Sequence, residues 1–145
     1  MNIKPVWLYY RELSGGVVST ITAMGNPALW WCGFPIVLLA LWKGVKERKM
    51  AFLFLGAIYM SQWLPYLLIP RCLFLYHYYP NVPILALASA GVFNESWNNP
   101  KPRKLIIIYL ILTVSLFILF YPFISGYPIS DMYSEISRWF NNWIL

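Results

Sequence analysis

Charged side chains are scarce in this chain of 145 residues. Asp, Glu, Lys and Arg together make up 11% of it, and 60% of the residues are hydrophobic. Soluble domains usually carry about 25% charged residues, so an ordinary water-soluble globule is excluded, and so is a disordered chain. The mean hydropathy of +0.58 agrees with this. The composition predicts an all-α integral membrane protein with lipid as its surroundings.

Acids, histidine and cysteine are also few. Five acidic residues oppose eleven Lys and Arg, which leaves a formal net charge of +6. The basic residues lie in short loops between apolar runs, where they orient a membrane protein, so we predict no nucleic-acid partner. One histidine and two cysteines, Cys32 and Cys72, offer no zinc-type spacing. We therefore predict no metal and no cofactor, and expect the cysteines to pack as small hydrophobic side chains.

Long apolar runs define the predicted architecture. Twenty residues of helix cross the roughly 30 Å hydrocarbon core. The third run is interrupted at Tyr76–Pro80 and at Pro83. We predict one membrane domain over residues 1–145, with an interfacial N-terminal segment at 1–25, four spans within 26–124 and an interfacial C-terminal helix at 125–145. The four apolar runs are residues 27–42, 51–69, 72–93 and 105–124.

The C-terminal stretch has the pattern of an amphipathic helix. Five apolar residues recur at the spacing of one helical face, namely Ile136, Trp139, Phe140, Trp143 and Ile144. Tryptophan on a short amphipathic helix favours the membrane interface, so Trp139, Phe140 and Trp143 are predicted anchors. Packing of the same face against a partner protein is the alternative.

Basic residues predict the orientation. The loops at residues 43–49 and 95–104 contain seven of the eleven Lys and Arg residues. With four spans these loops share one side, and the positive-inside rule assigns that side to the cytoplasm. Both termini are then extracytoplasmic. The formal glycosylation sequon at Asn94 is cytoplasmic in this arrangement and is expected to carry no sugar.

Arg71 and His77 are the polar residues that stand out between and within the apolar runs. Arg71 lies in a turn with few polar neighbours, and it has three possible roles: reaching to the lipid headgroups, pairing with a buried acid, or binding an anion such as phosphate. His77 is a packed, hydrogen-bonded residue, a ligand contact or a proton-transfer group; a tetrapyrrole ligand is the weakest alternative.

Prolines cluster at the same ends of the second and third runs, at positions 65, 70, 80 and 83. Each proline removes a backbone donor, and freed carbonyls persist in a membrane only against protein or a watery cavity. These helix ends therefore line a pocket, or else the prolines make kinks that serve packing alone.

Three segments together resemble the C-terminal four-span region of the protein O-mannosyltransferases, membrane glycosyltransferases of the GT-C type. They are residues 24–31 (MGNPALWW), 63–66 (WLPY) and 71–80 (RCLFLYHYYP). The resemblance implies transfer of mannose from a polyprenyl-phosphate-mannose donor to protein Ser or Thr hydroxyls on the extracytoplasmic face. It also implies that Arg71, and with it His77 and Tyr66, face the lipid phosphate of the donor.

The same resemblance limits the predicted activity. In that family the catalytic acid belongs to an Asp-Glu pair in the N-terminal half, and no Asp-Glu pair occurs here, so no catalytic residue is assigned. We expect the C-terminal module of a split or truncated mannosyltransferase that is inactive without a larger membrane partner. The alternatives are a non-catalytic accessory subunit of another membrane complex and a remnant without a role. The predicted location is the plasma membrane in bacteria or the endoplasmic reticulum in eukaryotes.

Overall fold

The computed structural model describes residues 3–4, 6–69 and 73–137. Four long helices form the body of the fold: α1 (Pro27–Glu47), α2 (Met50–Leu67), α3 (Asn81–Ser96) and α4 (Pro100–Ser125). A 3-10 helix, Leu75–Tyr78, precedes α3, and a short helix α5 (Asp131–Ser137) follows α4. The strands are β1 (Ile3–Lys4), β2 (Val6–Leu13), β3 (Val17–Ala23), β4 (Leu73–Phe74) and β5 (Ile129–Ser130).

Three of the described helices, α1, α2 and α4, are long and apolar enough to cross a membrane. Their lengths and composition agree with the predicted helical membrane protein. Helix α3 has 16 residues, which at 1.5 Å per residue gives a length of about 24 Å. The predicted third run is longer than α3 because the chain forms a 3-10 helix and a turn before Asn81. Pro83 lies in the first turn of α3, where a missing N–H costs little.

Helix α1 extends five residues past the predicted end at Trp42. Lys43 and Lys46 continue the helix beyond the apolar run, since Lys favours helix and extends its charge toward water. Arg48 then takes a left-handed conformation with φ of 53°, and the Lys49 N–H donates to the Gly44 carbonyl at 3.0 Å. This C-cap turns the chain directly into α2.

Helices α1, α2 and α3 pack around one apolar core. Its members are buried and are contributed by all three helices: Val37, Ala40, Phe52, Tyr59, Leu85, Ala88 and Val92, with Tyr78 from the 3-10 helix. Small residues allow close approach. A Cβ on Gly33 would lie 2.6 Å from a methyl carbon of Leu85, and one on Gly91 would lie 2.6 Å from the ring of Phe52. Gly91 of α3 therefore packs closely against α2.

Helix α4 lies beside this trio and packs through its second half against the β-sheet. A second apolar cluster joins them, made of Val18, Met24, Phe120, Phe123 and Ile129. One hydrogen bond ties α4 to the start of α1: the Asn26 side-chain amide donates to the Thr113 carbonyl at 2.8 Å. Most of the remaining surface of α4 is apolar and exposed, as a lipid-facing helix requires.

A β-hairpin occupies the N-terminal region, which the sequence interpretation assigned to an interfacial segment without strands. Strands β2 and β3 pair antiparallel from Val6↔Ala23 to Leu13↔Val17, and β5 pairs with the far side of β3. Gly15 and Gly16 have φ values of 85° and 70°, which glycine adopts without strain. The all-α prediction omitted this small sheet.

The described part of the chain ends with a short helix. Helix α5 begins at Asp131, and the Asp131 N–H donates to the Gly16 carbonyl at 3.1 Å, so the helix starts against the hairpin turn. The predicted anchors Trp139, Phe140 and Trp143 lie outside the described residues.

Candidate functional site

The basic residues gather at one end of the bundle, which we call the basic end (residues 43–49 and 95–104). Glu95 accepts a hydrogen bond from Lys43 at 2.8 Å and one from Lys49 at 2.5 Å. The α1–α2 loop and the end of α3 therefore meet. Hydrogen bonds to Glu47 and then to Glu95 raise the pKa of Lys49 above its ordinary value, so this ammonium stays charged at neutral pH.

Aromatic rings flank the basic end. The Lys46 ammonium lies 4.5 Å from the centre of the Trp42 ring, and the Arg103 guanidinium lies 5.3 Å from that of Trp97. Such cation–π pairs are typical of the depth at which apolar spans meet water. The basic end thus combines the two features that mark a membrane boundary.

The opposite end, which we call the hairpin end, holds the hairpin β2–β3, the last turn of α2 and the 3-10 helix Leu75–Tyr78. Two of the predicted site residues meet there. The Tyr66 hydroxyl donates to the His77 carbonyl at 3.1 Å, and the two rings lie edge to face with centres 6.0 Å apart. Tyr76 stacks on the His77 ring at 4.3 Å. The imidazole of His77 is therefore half-buried between two aromatic side chains.

A buried pair of hydroxyls holds the 3-10 helix in place. The hydroxyl oxygens of Tyr59 on α2 and Tyr78 lie 2.6 Å apart, and both side chains are buried. Trp30 of α1 also packs against the Tyr78 ring, with centres 5.1 Å apart. Because Tyr78 follows His77 directly, these contacts also position the histidine.

Arg71 lies outside the described residues, so its predicted role toward phosphate stays a prediction. The segments on either side of it are described. Strand β4, which begins at Leu73, pairs in parallel with β1 in the register Ile3↔Leu73 and Lys4↔Phe74. The turn between α2 and α3 therefore reaches the N-terminal strand beside the hairpin.

The sequence interpretation missed the cap formed by Asn26 and the burial of Asn81. The Asn26 side chain accepts a hydrogen bond from the Ala28 N–H at 3.0 Å and so caps α1. The Asn-Pro pair was an available signal, because Asn favours the N-cap and Pro the first helical position. Asn81 is fully buried at the start of α3, and its amide atoms have no hydrogen-bond partner among the described residues. Nothing in the sequence distinguished Asn81 from a surface residue.

The hairpin end offers binding groups more than reacting ones. His77 and its tyrosine neighbours present aromatic faces beside hydroxyl groups, a combination that suits a sugar or a lipid headgroup. Three acids, Glu12, Asp131 and Glu135, also occur in this half of the described chain, the first on β2 and the other two on α5. Glu12 accepts from the Tyr10 hydroxyl at 3.1 Å, an arrangement that does not pair it with a second carboxylate for acid–base work.

Comparison with known proteins extends these observations. The family model described as the C-terminal four-transmembrane region of protein O-mannosyltransferase matches residues 12–143. Curated relatives include polyprenol-phosphate-mannose–protein mannosyltransferases from three actinobacterial species. The protein of Mycolicibacterium smegmatis is 28% identical over 99% of this chain and 31% of its own length. That of Corynebacterium glutamicum is 27% identical over 91% and 27%, and that of Mycobacterium tuberculosis is 26% identical over 99% and 30%.

The chain thus spans about three tenths of the length of the curated relatives that it matches. No solved structure matches it. The family match covers nine tenths of the chain and includes the Asn26–Pro27 start of α1 as well as Tyr66, Arg71 and His77. The apolar helices and this match together show that the chain is an integral membrane protein belonging to the protein O-mannosyltransferase family, in which it corresponds to the C-terminal transmembrane region.

Proposed function

We propose that this chain is the C-terminal membrane module of a split or truncated protein O-mannosyltransferase and contributes to the binding site for a polyprenyl-phosphate-mannose donor. The observation that carries the proposal is the family match over residues 12–143. Relatives over that region are polyprenol-phosphate-mannose–protein mannosyltransferases. The catalytic acid belongs to a larger membrane partner, and the module is inactive without it.

The donor site lies at the hairpin end. Arg71 binds the lipid phosphate, because a guanidinium donates two parallel hydrogen bonds to phosphate oxygens. His77 and Tyr66 form the adjoining wall. The hydrogen bond from Tyr66 to the His77 carbonyl supports this assignment, since it joins α2 to the segment that follows Arg71.

The orientation belongs to the same proposal. Helix α3, together with the 3-10 helix, makes a short fourth span. The basic end faces the cytoplasm by the positive-inside rule, and the hairpin end and both termini face outward. The salt bridges between Glu95 and two lysines support one common side for the basic loops.

Donor binding tests the assignment of Arg71. The Arg71→Ala variant should lose about 1.5–3 kcal/mol, the contribution of a hydrogen bond to a charged group, which is about a 10- to 150-fold rise in Kd. The measurement is binding of a fluorescent short-chain polyprenyl-phosphate-mannose to the purified chain in lipid nanodiscs. Arg11→Ala is the matched control, because Arg11 lies exposed on β2 and its replacement removes the same charge from the hairpin end. Equal Kd values for all three proteins would refute the role of Arg71.

Orientation is measured with single cysteines placed in a variant that lacks Cys32 and Cys72. On intact cells, a membrane-impermeant maleimide should label Ser14→Cys in the hairpin turn and spare Lys101→Cys at the basic end. The reverse pattern would invert the proposed topology, and labelling of both positions would contradict the separation of the two ends.

The partner is identified by extraction in mild detergent and mass spectrometry of what copurifies. A membrane chain with an outward Asp-Glu pair, at equal stoichiometry, supports the split enzyme. Recovery in an unrelated membrane complex makes the chain an accessory subunit. Purification of the chain without any partner argues against both interpretations.

A further inference from the structure

The outer edge of β2 has the features of a docking site for an extended polypeptide. The sheet runs in the order β2-β3-β5, so within the described part of the chain β2 has a neighbouring strand on one side only. In an antiparallel pair, alternate residues direct their N–H and C=O groups away from the partner strand. Strand β2 has eight residues, enough to present several such groups.

The edge of β2 is only partly protected. Sheets usually cover an exposed edge with proline, short strands, charges or bulges. Residues 6–13 contain no proline, although Arg11 and Glu12 are charged and exposed. A register shift occurs between Trp7 and Tyr9, and beyond it the stretch Tyr9–Leu13 pairs regularly. Tyr9 and Leu13 remain exposed, at 42% and 38%.

The position of the edge relates it to the proposed donor site. Strand β1 ends at Lys4, just before β2, and pairs with β4, which ends at Phe74, just before His77. The chain segments that lead into β2 and into the 3-10 helix therefore run side by side. A polypeptide added to β2 would lie on the same end of the bundle as His77 and Tyr66.

We propose that the β2 edge receives the acceptor polypeptide as an added strand. The choice of occupant rests on the proposed function, in which a protein hydroxyl accepts mannose. Backbone hydrogen bonding suits this occupant, because strand addition recognises extended main chain and leaves the side chains, Ser and Thr included, directed to either face. A bound Ser or Thr hydroxyl is thereby held at the hairpin end, at a position set by the register of the peptide along β2.

N-methylated peptides test this without any assumption about side chains. The probe is a fluorescent, blocked eight-residue peptide of alternating Thr and Ala, added to the chain in nanodiscs. Two N-methyl groups on residues four and six block one edge of the extended peptide and leave the other intact. Two N-methyl groups on residues four and five block both edges. The Kd of the first peptide should be within threefold of that of the unmethylated peptide, and the Kd of the second should be at least tenfold higher.

Amide hydrogen exchange locates the binding. The unmethylated peptide should slow exchange at outward-facing amides within Tyr9–Leu13 and leave the amides of β3 unchanged. Equal binding by the two methylated peptides, or protection elsewhere, would overturn the proposal. Protection of the β2 amides that increases with protein concentration in the absence of peptide would also overturn the proposal, because it would identify a second copy of the chain as the occupant. Donor binding is measured separately, so a chain that binds peptide at β2 but no donor would refute the proposed donor site and leave strand addition at β2 standing without the assignment of the peptide as an acceptor.

Discussion

The hydroxyl pair of Tyr59 and Tyr78 makes a sharp prediction about what holds the hairpin end together. Tyr59 is 1% exposed and Tyr78 is 7% exposed, and their oxygens are 2.6 Å apart. Replacing Tyr59 by Phe removes one hydroxyl and leaves the other buried, with no other hydrogen-bond partner among the described residues. The same holds in reverse for Tyr78→Phe.

The expected costs follow from the asymmetry of hydrogen bonding. A polar group left unpaired in a buried site costs about 1–3 kcal/mol, whereas replacing both partners by apolar groups of the same shape is nearly neutral. Each single variant should therefore lose about 1–3 kcal/mol of unfolding free energy. The double variant, with two Phe residues, should lose at least about 1 kcal/mol less than the sum of the single losses, which is a large coupling for neighbouring residues.

Unfolding by sodium dodecyl sulfate in mixed micelles, followed by tryptophan fluorescence, measures these free energies. Tyr121→Phe is the matched control, because Tyr121 lies on α4 and is 51% exposed; its change should stay within about 0.5 kcal/mol. A double variant as destabilised as the two singles added together would refute the reasoning. It would mean that the two hydroxyls do not depend on each other for a hydrogen bond.

Substitutions at three further positions are expected to separate packing, capping and charge in the same unfolding assay. Gly33→Leu should cost about 1–3 kcal/mol by overpacking, because even a Cβ would lie 2.6 Å from Leu85. Asn26→Ala should cost about 1–2 kcal/mol by loss of the cap, and Asn26→Asp should recover part of it by keeping the capping oxygen without the bond to Thr113. Glu95→Gln should lower the unfolding free energy by less than about 1 kcal/mol, because the Glu95 side chain is 25% exposed. A larger loss would mean that the ion pairs of Glu95 contribute to the stability of the core.

Apolar runs free of charge predicted their helices closely. The run at residues 105–124 corresponds to α4, Pro100–Ser125, and the run at 51–69 to α2, Met50–Leu67. The predicted bounds differ from the structure where polar or proline residues interrupt the apolar pattern. Residues 72–93 read as one span by hydropathy, but the chain restarts its helix at Asn81, because consecutive aromatic residues and Pro80 favour a turn over continued helix.

The hairpin was missed although local signals for it were present. Val17, Val18, Thr20, Ile21 and Thr22 are β-branched, and the Gly15–Gly16 pair precedes them, a pattern typical of a turn followed by a strand. The aromatic residues before the glycines favoured an amphipathic interfacial segment instead. The contacts of the candidate site were beyond sequence reasoning for a different reason. The partners Tyr59 and Tyr78, like Asn26 and Thr113, meet only through tertiary packing.

The two binding elements at the hairpin end depend on different parts of the core. His77 and Tyr66 are positioned by the apolar cluster of α1, α2 and α3, whereas the hairpin packs with the second half of α4 through Val18 and Phe120. The two units are joined by the Asn26–Thr113 hydrogen bond and by the β1–β4 pairing. A substitution in the α4 cluster should therefore displace the β2 edge more than the His77 segment. In the proposed enzyme, such a substitution would weaken binding of the acceptor peptide and leave binding of the lipid donor nearly unchanged.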